Sequence, residues 1–174
     1  MLALLLHSKT LAVDWLDIRL DFDTNITLDV DMEIQTTNFG SQTINADDII
    51  LFPNGLIGLE EHTKFKLFHQ ESDNPTVYWL QSISDANFMM SVITPAVLGI
   101  EYEIELNDEE IAAIKLDNAD DAIVLLIVYK QHEQEQDATD LDMKAIVKAP
   151  LVINTKAKLG IQKSLPNLAT KASA

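Results

Sequence analysis

The residues able to do chemistry are few and scattered. Four histidines, His7, His62, His69 and His132, lack the His-x3-His or clustered spacing of a metal site and are expected at the surface. Ser82 and Ser91 lie outside any strand–turn–helix context that would expose a nucleophile. Gly55-Leu-Ile-Gly58 is glycine-rich, yet no Lys or Ser/Thr follows it as in a phosphate loop, so it reads as a turn needing positive φ. Carboxylates abound, and their number alone picks out no catalytic pair. Tyr78-Trp79 could stack on a base, but with only Lys64 and Lys66 nearby it reads better as core or interface packing. The chain has no cysteine, which excludes disulfides, thiolate nucleophiles and Cys-ligated zinc. No enzyme signature, cofactor motif or metal motif emerges, and a non-catalytic binding protein is expected.

Charge carries more information. The 174 residues hold 28 acidic and 12 basic side chains, a net −16. All 28 acids and six of the basic residues lie in residues 1–142, which therefore carry −22. The remaining 32 residues hold Lys144, Lys148, Lys156, Lys158, Lys163 and Lys171 and no acid. Such a molecule repels phosphate and attracts cations, so a basic protein is expected as partner before bare nucleic acid. The apolar share of 47% against 23% charged belongs to a globular chain. No apolar run approaches the roughly 18 residues of a membrane span. The short run Met1-Leu-Ala-Leu-Leu-Leu-His has no basic residue before it and no small-residue cleavage site close behind, against a secretory signal. A cytoplasmic protein without a membrane partner is the expectation.

The elements that must position these residues are mostly strands. Leu16–Val30 alternates apolar and polar residues, and Met32–Thr37 does so again before a turn at Asn38-Phe39-Gly40-Ser41 and a return over Gln42–Asn45. Ile49–Phe52 is a buried-strand candidate ended by Pro53-Asn54-Gly55. Phe65–His69, Val77–Ile83, Phe88–Ile93 and Tyr102–Leu106 follow, the last with Glu101, Glu103 and Glu105 on the opposite face. A short helix is predicted after Asn107 or Asp108 as cap, with Glu109 and Glu110 in its first turn where the helix dipole favours them. Ile123–Tyr129, apolar throughout and rich in β-branched residues, is the candidate central strand. Gln131–Asp142 reads as a long exposed loop. Met143–Val147, Leu151–Asn154 and Leu159–Ser164 are the last strands, and Leu165–Ala174 reads as a tail. Many short strands at near-regular spacing with one short helix predict an all-β, mainly antiparallel, small barrel-like single domain.

Three ordered blocks then resemble the flagellar assembly factor FliW family. The first is Met32-Glu-Ile-Gln-Thr-Thr-Asn-Phe-Gly40 followed by Asp47-Asp-Ile-Ile-Leu-Phe-Pro-Asn-Gly-Leu-Ile-Gly-Leu-Glu60, similar to that family's Phe-x-x-Gly-Leu-Pro-Gly-Phe-Glu signature. The second is Tyr78-Trp-Leu-Gln-Ser82 with Phe88 through Pro95 and then Tyr102. The third is Ala149-Pro-Leu-Val-Ile-Asn154, Leu159-Gly160 and Gln162. The chain departs from the pattern at Ile57 and Leu59, where the family usually has Pro and Phe, and at Ile146-Val147 in place of Asn-Leu.

The resemblance implies a β-barrel-like protein that binds flagellin and the basic RNA-binding translational regulator CsrA. It further implies a domain starting near Met32 and ending near Ser164, preceded by residues 1–31 as either an added extension or the product of an upstream start codon, expected to pack poorly with Leu16, Ile18 and Leu20 unburied. For the regulator, the expected contact is the acidic surface of Glu101, Glu103, Glu105, Glu109 and Glu110 with Asp117–Asp121, including Asp120 and Asp121, and the Glu133–Asp142 loop. For the amphipathic helices at flagellin's ends, the expected contact is an apolar groove built from Gly55–Glu60 and Tyr78–Leu80. Candidate partner residues are therefore Phe52, Pro53, Gly55, Leu56, Gly58, Glu60, Tyr78, Trp79 and Leu80, together with those acids. Two other classes stay open: a small-ligand-binding barrel, which a largely apolar pocket with convergent polar groups would favour, and a hydrolase, which needs a buried carboxylate pair in a cleft.

Overall fold

Strand β9 (Ala122–Lys130) organises the molecule, because both of its faces are buried. Val124, Leu126 and Val128 belong to one apolar cluster, while Leu125 belongs to another with Ile123 and Ile127 packed against it. A strand covered on both sides has no polar face to alternate with, which is why its sequence is an unbroken apolar run. In the computed structural model, residues 2–5, 31–69, 77–101, 103–130 and 143–166 are described. They form β1 (Leu2–Leu5), β2 (Asp31–Thr36), β3 (Gly40–Asn45), β4 (Ile49–Leu51), β5 (Lys64–His69), β6 (Tyr78–Ser82), β7 (Met89–Ile93) and β8 (Glu103–Leu106). Helix α1 (Asp108–Ala113) precedes β9, and β10 (Met143–Ala145), β11 (Leu151–Asn154) and β12 (Leu159–Gln162) complete the order.

Seven strands close a barrel in the cyclic order β9-β11-β12-β4-β5-β6-β7, with β7 returning to β9. One edge of β9 takes β11 along its first half and β10 along its second, and the other edge takes β7. Every pairing is antiparallel except β12–β4, where a single parallel bridge joins Leu159 to Leu51 and the Leu51 N–H donates to the Lys158 carbonyl at 2.9 Å. The expected all-β, mainly antiparallel barrel with one short helix is what the chain forms.

One apolar cluster unites Ile50, Phe52, Leu56, Phe65, Leu80, Val92, Leu125, Leu151 and Ile153, drawn from the barrel strands and the turn after β4. A second, with Val124, Val152 and Ile161, is covered by β8 through Ile104 and Leu106, by α1 through Ile111, and by the turn after α1 through Ile114 and Leu116. Each fully buried Leu, Ile, Val or Phe contributes about 1.5–3 kcal/mol over its exposed state. The helix starts as its sequence predicts: the Asn107 side chain accepts from the Glu110 N–H at 2.8 Å, and Glu110 Oε2 accepts from the Asn107 N–H at 2.9 Å. It is anchored at its far end by Asn154. The Asn154 amide donates to the Ile114 and Lys115 carbonyls at 3.0 and 2.9 Å, and its oxygen accepts from the N–H groups of Lys156 and Ala157.

The β2–β3 hairpin is a separate two-stranded sheet. Its turn residue Phe39 packs on Phe68 and Trp79, with ring centroids 5.2 and 5.7 Å apart, and the Thr37 N–H donates to the Ala86 carbonyl. Leu2–Leu5 pairs antiparallel with β8, an element the sequence reading did not assign. Leu16, Ile18 and Leu20, the Gln131–Asp142 loop and residues 167–174 lie outside the described residues. Leu165, placed by the sequence at the head of a tail, donates its N–H to the Lys148 carbonyl at 2.8 Å and packs on the second cluster.

Candidate partner-binding surface

The turn that follows β4 is shaped by its glycines. Gly55 (φ +67°) turns the chain where a Cβ would lie 2.5 Å from the Glu60 backbone, so both conformation and space demand glycine. Leu56 and Leu59 then bridge back to back, Leu59 N–H donating to the Leu56 carbonyl at 2.8 Å. Gly58 (φ +77°) sits at the open tip and donates its N–H to Glu60 Oε1 at 2.9 Å. The Glu60 N–H and that of Gly58 hold the Glu60 carboxyl below the usual carboxylate range. The Ile57 N–H donates to Gln162 Oε1 at 2.8 Å, and the Gln162 amide donates to the Ala149 carbonyl, tying the turn to the last strand. Held this way, Ile57 presents an apolar side chain that is 59% exposed.

Between this turn and α1 lies an open cleft of about 290 Å³, with Glu60 and Ile57 on one side, Glu109, Glu110 and Ala113 on the other, and Gly160–Gln162 as its floor. Its carboxylates are not equivalent. Glu110 is committed within the fold, capping α1 and receiving Lys163 Nζ at 2.6 and 2.7 Å. Glu60 and Glu109 are exposed. Along β8, Glu103 and Glu105 are exposed and Ile104 and Leu106 are buried. Glu101 and Asp120 are exposed as well, whereas Asp121 is half-buried and receives Lys156 Nζ at 2.8 Å.

The structure thus joins the Gly55–Glu60 turn to Glu109 and Glu110 and not to an open Tyr78–Leu80 face. Phe52, Leu56 and Leu80 are core side chains, and Phe52 and Leu80 expose nothing to a partner. Pro53 is exposed beside the turn. Trp79 is half-buried under Phe39, and burial of half-buried Tyr78 raises its hydroxyl above the ordinary range. Ile57 lines the cleft from within the expected Gly55–Glu60 segment, and Ala113 and Gln162 line it without having been expected as partner contacts. For Ile57 the sequence held a signal, a large apolar residue at a turn tip; for Ala113 and Gln162 it held none.

His62, expected at the surface, is half-buried, stacked on Phe88 with centroids 4.2 Å apart. Its Nδ1 lies 3.1 Å from Ser82 Oγ, which is 3.1 Å from Ser84 Oγ, and its Nε2 is 3.8 Å from Glu61 Oε1. The residue types are those of a hydrolytic triad, yet Ser82 is 1% exposed and no substrate carbonyl can reach its hydroxyl, so the row is structural. Among the described residues no three His, Asp or Glu side chains converge as metal ligands, and no helix is long and apolar enough to cross a membrane.

Comparison with known proteins gives a consistent result. A family model described as FliW protein matches residues 33–173. The chain is 39% identical over 137 residues to a protein named flagellar assembly factor FliW from Azoarcus sp. (strain BH72), covering 79% of this chain and 93% of that one. It is 36% identical over 136 residues to the protein of the same name from Chromobacterium violaceum, covering 76% and 92%. The crystal structure of a flagellar assembly factor FliW superposes with a TM-score of 0.69 at 28% identity, covering 81% of this chain and 94% of that one. With its barrel, capped helix and glycine turn all inside the matched region, the chain belongs to the FliW family of flagellar assembly factors.

Proposed function

We propose that this protein acts by binding other proteins, without catalysis, in the cytoplasm: it holds flagellin, and when flagellin is secreted it antagonises the translational regulator CsrA, so that flagellin synthesis follows filament assembly. The observation that carries this reading is the exposed acidic face of Glu101, Glu103, Glu105 and Glu109 on a chain of net −16. A basic RNA-holding surface is complementary to it, and RNA is repelled from it. The flagellin contact is assigned to the cleft beside Ile57, whose open, mixed lining suits a side chain protruding from an amphipathic helix better than an enclosed small molecule.

Purified chain is used to retain flagellin and CsrA at about 50 mM and about 500 mM salt, where screening lengths differ roughly threefold. Both are retained at low salt, and CsrA retention falls at high salt. Glu103→Lys with Glu105→Lys weakens CsrA without affecting flagellin, and Ile57→Asp does the reverse. Retention of neither protein by the wild-type chain sinks the assignment. Salt-resistant CsrA binding sinks its electrostatic basis.

A further inference from the structure

We infer that the edge of β8 is a docking site for an extended segment of a partner protein, apolar and basic at alternate positions, and that this chain keeps the edge occupied with its own Leu2–Leu5. Among the described residues β8 pairs with no strand but β1, so its backbone edge depends on that segment for its ladder. A strand edge left open is a template for another strand. Yet β1 lies outside residues 33–173, the part that matches the family, whereas β8 and every barrel strand lie inside it.

The register states what the site accepts. Leu2 stands opposite Leu106 and Leu4 opposite Ile104, while Ala3 stands opposite Glu105 and Leu5 opposite Glu103. Ile104 and Leu106 are 1% and 0% exposed, and Glu103 and Glu105 face solvent. Cross-strand neighbours stabilise a sheet when apolar meets apolar and cation meets anion. The chain's own strand places leucine opposite the apolar positions but leaves both glutamates opposite uncharged residues. A segment with Lys or Arg at those two positions answers the whole edge, and β1 is the weaker occupant it displaces.

Amide exchange at Glu103–Leu106 is measured in the full-length chain and in two separate variants, Leu4→Pro and Ala3→Pro, each with and without an alternating Leu-Lys octapeptide. Proline removes a backbone donor and is not tolerated inside a paired strand. The β8 amides are protected in the wild type and exchange faster in both variants. The Leu-Lys peptide restores protection in the variants at a concentration about tenfold lower than it needs to alter the wild type, because it no longer competes with a tethered strand at millimolar effective concentration. A Leu-Glu octapeptide restores nothing. Equal exchange in wild type and variants, or failure of the Leu-Lys peptide to protect the variants, overturns the inference. Protection in the variants that appears with a concentration-dependent dimer, without peptide, overturns it in favour of a second copy as occupant.

Discussion

Replacing Gly160 by alanine tests whether the barrel is closed by shape at the aromatic ring beneath its seam. A Cβ at Gly160 would lie 2.7 Å from Phe52 Cε1 and Cζ and 3.2 Å from Cδ1. Comfortable carbon–carbon contact begins near about 3.5 Å, so the ring must retreat by about 0.8 Å. It has nowhere to go, because Phe52 is fully buried and stands edge-on to Phe65, itself fully buried, at a centroid distance of 5.5 Å. Forcing extra volume into such a site costs about 1–3 kcal/mol. The φ of Gly160 is one that any residue adopts, so alanine also restricts the unfolded chain and returns about 0.4–1 kcal/mol. At the middle of these ranges the net loss is about 1.3 kcal/mol, which lowers a urea midpoint by roughly 0.6 M at an m-value of about 2 kcal/mol per M. Circular dichroism and tryptophan fluorescence follow the transition. Shortening the ring relieves the clash, so Phe52→Leu combined with Gly160→Ala is less destabilised than the sum of the single changes by about 1 kcal/mol. An unchanged or raised midpoint in Gly160→Ala, or strict additivity in the double variant, refutes the reasoning.

Gly58→Ala meets no neighbour and costs only its left-handed φ, about 1 kcal/mol, whereas Gly55→Ala also drives a methyl into the Glu60 backbone and loses clearly more in the same urea assay. Asn154→Leu removes four hydrogen bonds at one stroke, leaving the Ile114 and Lys115 carbonyls unsatisfied beneath α1; a loss of about 2–4 kcal/mol is expected, with faster amide exchange across the end of the helix. Burial raises the Tyr78 hydroxyl, so the neutral form is favoured in the fold; the stability this contributes is complete below the ordinary value near about 10 and is lost as pH rises through the folded value. Tyr78→Phe removes that alkaline component, and equal loss in both proteins from pH 9 upward, followed by thermal midpoint, contradicts it.

The sequence disclosed what is local. Asn107 and Glu110 are three residues apart and announce a capping box, and the chain forms one. The unbroken apolar run of β9 announces burial on both faces. The Gly55 and Gly58 positions announce positive φ. Relations between distant residues left no such mark. The β12–β4 seam rests on one parallel bridge, too short to impose a pattern on Ile49–Leu51 or Leu159–Gln162. Gly160 reads as a weak strand residue until Phe52 is seen against it. The cleft was half legible, because the turn and the acidic first turn of α1 were each singled out, but the bonds that fix them to neighbouring residues of the last strand and its end, Ile57 to Gln162 and Glu110 to Lys163, were not. The packing of Trp79 under Phe39 left no local mark for a related reason: Phe39 comes from a hairpin that local pattern cannot place.

The parallel seam also bears on the order of events during synthesis. Residue 51 leaves the ribosome well ahead of its strand partner at residue 159, and β9, β11 and β12 must all be out before the ring can shut. Until then β4–β7 can form only an open antiparallel sheet with its β4 edge bare, the kind of edge that recruits other chains. The barrel is therefore sealed only once residue 159 has emerged, and its slow, exposed interval falls on the nascent chain.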